Sequence, residues 1–177
     1  MCSLALWLGA LMTGAISASL VFPSIHALDP RVPGFESFGG EHWKLVAGKA
    51  QQPIFGLTDL IQLGAGGLAF FTIGLRLVGA GVARAPRRAA TLVRTLAVGV
   101  GVVLFTCNLM FLAPRMYPHL KSYWTLAAEG RTEEALVEEQ AFNQMHPTAS
   151  RLHAATSVCV LVAFVAGAWS LARRVEE

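Results

Sequence analysis

The chain has 177 residues, of which 54% are hydrophobic and only 14% are Asp, Glu, Lys or Arg, with a formal net charge of +3. Soluble domains of this length carry about a quarter charged residues, so an ordinary water-solvated globule is excluded. No basic tract interleaved with aromatics points to nucleic acid, and Cys2, Cys107 and Cys159 form no CxxC pair that would imply a disulfide framework.

The charges that exist are unevenly placed. None occurs before Asp29, and Arg94 stands alone between Ala89 and Pro114. A helix needs about 20 apolar residues to cross hydrocarbon, and four windows qualify. The first, about 4–23, carries Ala10, Gly14 and Ala18 at spacing four, the small residues that let membrane helices approach. Its Ala15-Ile16-Ser17 triplet resembles a cleavage site. The stretch lacks a positive n-region and is longer than an h-region, so an uncleaved helix is predicted.

An outer connection, 24–53, follows, Pro/Gly-rich over 30–40 and predicted to form a short helix over 41–50. The second span, 54–75, is rich in glycine (Gly64, Gly66, Gly67, Gly74), again read as packing residues. Arg76, Arg84, Arg87, Arg88 and Arg94 then lead to the third span, 95–113. The second outer connection, 114–151, is acidic, with Glu129, Glu133, Glu134, Glu138 and Glu139. Within it 132–145 reads as an amphipathic helix, with Leu136, Val137, Ala141 and Met145 on one side. Pro147 fits the first turn of the next helix. The fourth span, 152–171, contains Ala163 and Gly167 and is followed by Arg173 and Arg174.

Basic residues mark the cytoplasmic side. The arginine-rich connection and the arginine tail therefore predict an all-α membrane protein: one four-transmembrane-helix bundle over 1–177, with N- and C-termini cytoplasmic. Trp7 and Trp169 near the inner ends, and Trp43 and Trp124 in the outer connections, read as an aromatic belt.

Polar side chains inside the spans carry the most information about function. Asp59 falls about 7–8 Å below the outer boundary at 1.5 Å per residue, with Gln62 at i+3 on the same face. Asn108 comes at similar depth near the outer end of the third span and Arg115 at its edge. His153 lies at the start of the fourth span, with Thr156 and Ser157 just beneath. These residues converge on the outer third of the bundle, and His26, His42, His119 and His146 also fall on the outer side.

One reading is structural: buried polar contacts fix helix register, with Asp59 satisfied by Arg115 or His153. The other is a small-ligand, proton or ion site with Asp59 as its charge and Gln62, Asn108 and His153 orienting. A soft-metal variant draws on Cys107, Met110, Met116, His119, Met145, His146, His153 and Cys159, ligand types that Cu(I) prefers, though no two form a tight motif. Haem would need facing histidines, and only His153 is near membrane depth. No cofactor is implied.

Asn108-Leu109-Met110-Phe111-Leu112-Ala113-Pro114-Arg115 resembles the N-x-x-(aromatic)-L-x-P-R ending of the third helix in the transmembrane protein 205-like family, whose bacterial members carry a domain of unknown function. His153-Ala154-Ala155-Thr156-Ser157-Val158-Cys159 resembles its fourth-helix H-x-x-S-S-x-C motif, with Phe142 upstream. Val160 stands where the family often has Asn. The resemblance covers the C-terminal half best and implies a small four-helix membrane protein in which Asn108, Pro114, Arg115, His153 and Ser157 matter most.

No Ser/His/Asp order, phosphate loop or HExxH motif appears, so no enzyme is expected. The expectation is a structural or accessory protein of the plasma (bacterial inner) membrane that meets a partner through its helices or outer loops. The alternative is a small transporter or ion- or soft-metal-handling protein, for which four helices imply a homo-oligomer.

Overall fold

The computed structural model describes residues 1–79 and 89–175. Arg84, Arg87 and Arg88 lie outside them, as do the side chains of Arg76, Arg173 and Arg174. The described chain is helical, without strands: α1 (Cys2–Leu28), α2 (His42–Gly79), α3 (Ala89–Cys107), α4 (Ala113–Ala128) and α5 (Thr132–Val175), with a π-helical turn, Asn108–Leu112, joining α3 to α4. Four stretches are long and apolar enough to cross a membrane: Cys2–Leu28, His42–Leu75, Ala89–Ala128 and Thr132–Ala172. The protein is an all-α bundle of four membrane-crossing helices.

Its surface chemistry agrees. Leu60, Phe71, Leu96, Val103 and Val165 are each more than half exposed, whereas Ala65, Ala69 and Ala163 are buried. Water would not tolerate that much outward apolar surface, and lipid gives no reason to bury it.

The helices run further than the apolar windows. α5 has 44 residues, about 66 Å at 1.5 Å per residue, against about 30 Å of hydrocarbon. Pro23, Pro53 and Pro147, which read as boundaries, are all internal to helices. The amphipathic helix predicted for 132–145 is continuous with the fourth span, and the short helix of 41–50 is the first part of α2. Each proline removes one donor to the carbonyl four residues back, a local cost of about 3 kcal/mol that helix packing along the rest of the element overrides.

At Pro114 the chain answers differently. Its ring cannot bond to the Met110 carbonyl, and immediately before it the helix widens into the π turn, with the Ala113 N–H bonded to the Asn108 carbonyl five residues back.

Two compact units are present. The first comprises Met1–Thr13, Thr58–Thr106 and Leu152–Glu177; the second comprises Gly14–Leu57 and Cys107–Arg151. In the first, Trp7 is completely buried. A Cβ at Gly66 would stand 3.2–3.3 Å from its ring, and one at Gly101 3.4 Å away. Trp7 is therefore an interior residue, not part of the predicted headgroup belt, whereas Trp169 is 58% exposed. Nothing lies within 4 Å of a Cβ at Gly56, Gly64, Gly67 or Gly74, so of the five glycines in the second span Gly66 alone makes room for a neighbour.

The second unit contains all of the 11 acidic residues except Asp59, Glu176 and Glu177. Its core is Phe35, Phe38, Leu45, Tyr123, Ala127 and Ala135. The Pro/Gly-rich segment before α2 is folded onto it: the Val32 N–H donates to His42 Nδ1 at 3.3 Å, and Nε2 of the same ring faces the Phe38 carbonyl at 3.1 Å. Gly39 N–H donates to Thr132 Oγ1 at 2.9 Å.

α4 ends in a Schellman turn, with Arg131 N–H bonded to the Leu126 carbonyl and Gly130 N–H to that of Ala127. Gly130 has φ +73°, and a Cβ there would collide with Ser37 Oγ.

Candidate functional site

Asp59 and Gln62 stand one turn apart on α2, a spacing that places both on one face. Gln62 is 1% exposed, and its Nε2 donates to Asp59 Oδ1 at 3.1 Å. From α5, His153 turns Nε2 to the Leu11 carbonyl of α1 at 3.2 Å. A carbonyl only accepts, so that contact requires the proton on Nε2 and leaves Nδ1 as an acceptor in the neutral ring. Asp59 and His153 are within electrostatic reach of one another. All of these belong to the first unit.

The hydroxyls beside them are already used. Thr156 Oγ1 donates to the Leu152 carbonyl at 2.8 Å and Ser157 Oγ to that of His153 at 2.9 Å. Such back-bonding spends the donor on the residue's own helix, leaving Ser157 an acceptor only.

Asp59, Gln62, His153 and Ser157 thus belong to one unit, and the bonded partner of Asp59 is Gln62, with His153 within electrostatic reach. Asn108 and Arg115 belong to the second unit. Asn108 opens the π turn, and its Oδ1 is buried with no hydrogen-bond partner among the described residues. Arg115 is exposed on α4.

The participant that sequence reasoning missed is the Leu11 carbonyl. A backbone acceptor has no residue-type signature; the available hint was the apolar face formed by Trp7 and Leu11 at i, i+4.

Compared with known proteins, the chain matches no family model, no curated protein and no solved structure. Its function therefore rests on its own chemistry.

As an arrangement, a half-buried carboxyl group, a buried carboxamide and a half-buried imidazole can help hold helices in register or exchange a proton. Among the described residues, no three His, Cys, Asp or Glu side chains gather as a metal-ligand group.

The second unit holds polar contacts that the sequence did not single out. Lys44 Nζ bridges Glu41 at 2.6 Å and Glu139 at 2.7 Å, tying α2 to α5. His119 Nδ1 meets Glu138 at 2.6 Å, and Gln51 Nε2 donates to Ser17 Oγ at 2.7 Å.

Outside the spans, the hydrogen bonds from Lys44 and then Trp43 hold the Glu41 carboxyl below its ordinary value, and the Gly34 N–H does the same for Glu36. Glu134 and then Glu129 hold the Arg131 guanidinium charged.

Proposed function

We propose that the chain is a non-enzymatic, multi-pass protein of the plasma (bacterial inner) membrane with a structural or accessory role, its four spans anchoring a folded outer unit that meets a partner. The observation that carries this reading is the second unit. Four spans joined by short turns would need no such layer, yet residues 29–41, α4 and the first part of α5 are fixed by an aromatic core and by the Lys44 bridge.

In this reading His153 is the register lock, tying α5 to the Leu11 carbonyl of α1, while Gln62 satisfies Asp59 within α2. Both termini lie in the cytoplasm, supported by the arginine-rich segments. Kinship with the transmembrane protein 205-like family belongs to the same proposal, supported by the Asn108–Arg115 and His153–Cys159 segments.

A second reading, proton or ion handling, is favoured by Asp59 and His153 lying within electrostatic reach of each other in the spans of one unit. Carboxylate and imidazole within a membrane span mark ion and proton paths in many proteins, and transport through four helices would require a homo-oligomer.

Asp59→Asn and His153→Ala separate the two. A register lock predicts lower abundance and thermal stability in both variants, with no ion flux through reconstituted wild-type protein. Proton uptake in proteoliposomes, lost in an Asp59→Asn protein that inserts and melts like wild type, would replace the first reading with the second. An exterior C-terminal tag would overturn the orientation.

A further inference from the structure

A groove of about 440 Å³ opens on the second unit, lined by Phe35 and Trp124, by Lys49 and Lys121, and by Thr125 and Glu129. Its two rings and two ammonium groups are arranged together. Lys49 Nζ sits 4.8 Å from the Phe35 ring centroid and 5.9 Å from that of Trp124, so ring quadrupoles hold the cation at the groove without neutralising it. Among the described residues, neither Lys49 nor Lys121 has a carboxylate partner, and the Glu129 carboxylate is engaged by Arg131 at 3.1 Å. The groove is therefore lined by two ammonium groups, one of them over the Phe35 and Trp124 rings, a chemistry that accepts an anion.

Position along the helices specifies which anion. Lys49 precedes the apolar window of α2 by five residues, and Lys121 follows Pro114 by seven, which places them about 7–10 Å beyond the hydrocarbon at 1.5 Å per residue. A headgroup layer is about 5–8 Å deep on each side, and lysine side chains reach several ångströms toward it.

On α2, Lys49, Pro53 and Leu57 share one face, all exposed; on α4, Lys121, Tyr117 and Pro114 do the same. Each lysine thus heads an exposed, largely apolar track leading toward the hydrocarbon, as a diacyl lipid needs and a free anion does not.

We infer that the groove lined by Lys49, Lys121 and Trp124 binds the phosphodiester headgroup of an anionic phospholipid in the leaflet nearest the second unit. The acyl chains then follow the two tracks, and the phosphate lies between the ammonium groups.

The test is retention of lipid by the purified, full-length protein in neutral detergent, supplied with phosphatidylglycerol or phosphatidylcholine and read by native mass spectrometry. Wild type is expected to prefer phosphatidylglycerol, and the preference is expected to fall as salt rises. Since a basic residue near a membrane surface contributes about a fivefold preference, Lys49→Gln or Lys121→Gln should lose about fivefold and the double variant about thirtyfold at low salt. Lys49→Arg with Lys121→Arg should retain the preference.

Should the glutamine variants fail to fold, the wild-type comparison of the two lipids across a salt series decides alone. Equal retention of both lipids, or a preference untouched by salt, overturns the proposal. Displacement of the lipid by equimolar inorganic phosphate also overturns it, by showing a site for soluble anions.

Discussion

Gly66 and Gly67 offer a sharp test of what packs the first unit. They are adjacent in α2 with the same intrinsic helix propensity, but a methyl group at Gly66 would press on three atoms of the Trp7 ring at 3.2–3.3 Å, whereas one at Gly67 meets nothing within 4 Å. Trp7 has little room to retreat, being completely buried with Gly101 also against it.

Gly→Ala in a helix gains about 1 kcal/mol in propensity, and overpacking costs about 1–3 kcal/mol. Gly67→Ala should therefore hold or raise stability, while Gly66→Ala should lie about 1–3 kcal/mol below it. At about 2–4 °C per kcal/mol for a protein of this size, the two melting temperatures should differ by roughly 2–12 °C, measured in one detergent. In a Trp7→Ala background the difference should vanish, since the crowded partner is gone. Equal melting temperatures for the two alanine variants, or a difference that persists without Trp7, would refute the packing argument.

Gly130→Ala should destabilise the second unit by about 1–2 kcal/mol or more, because φ +73° disfavours any Cβ and Ser37 occupies the space; Ser37→Gly should recover only the steric part, by thermal melting. A double-mutant cycle between Lys44 and Glu139 should give a coupling of about 1–2 kcal/mol, since the Glu139 side chain is 13% exposed, between surface pairs and fully buried ones. The Lys44–Glu41 cycle should give less than about 1 kcal/mol, Glu41 being 55% exposed. Because Glu41 titrates below its ordinary 4.5 when folded, its contribution is present above that pH and is lost as pH falls through the lower folded value. Glu41→Gln should flatten the acid limb of stability against pH.

The spans were legible because hydrocarbon imposes a length and composition that no other environment demands. Asp59, Gln62 and His153 were legible for the related reason that polar groups at such depth are few. Their grouping needed only helical periodicity and the alternating direction of the spans.

The helix ends were not legible. Pro23, Pro53 and Pro147 each carry a local breaking signal, but whether a helix continues depends on packing along its whole length, and that information is spread over residues far apart in sequence. Gly66 and Gly67 are equally opaque: a rotation of 100° along the helix puts one against Trp7 and the other in the open, and nothing in the residue type distinguishes them.

The two interiors of this protein answer to different solvents. In the second unit Phe35, Phe38, Leu45 and Tyr123 come together, the bulky residues whose removal from water yields about 25 cal/mol per Å². In the first unit many bulky residues face out, and Ala65, Ala69 and Ala163 share the interior with Leu11, Val98 and Val160, with Gly66 and Gly101 fitted against Trp7. Lipid gives a leucine no reason to turn inward, so association there depends on close van der Waals fit and on polar groups that require partners. On that footing Gln62, 1% exposed and bonded to Asp59, is as much a core residue of its unit as Phe38 is of the other.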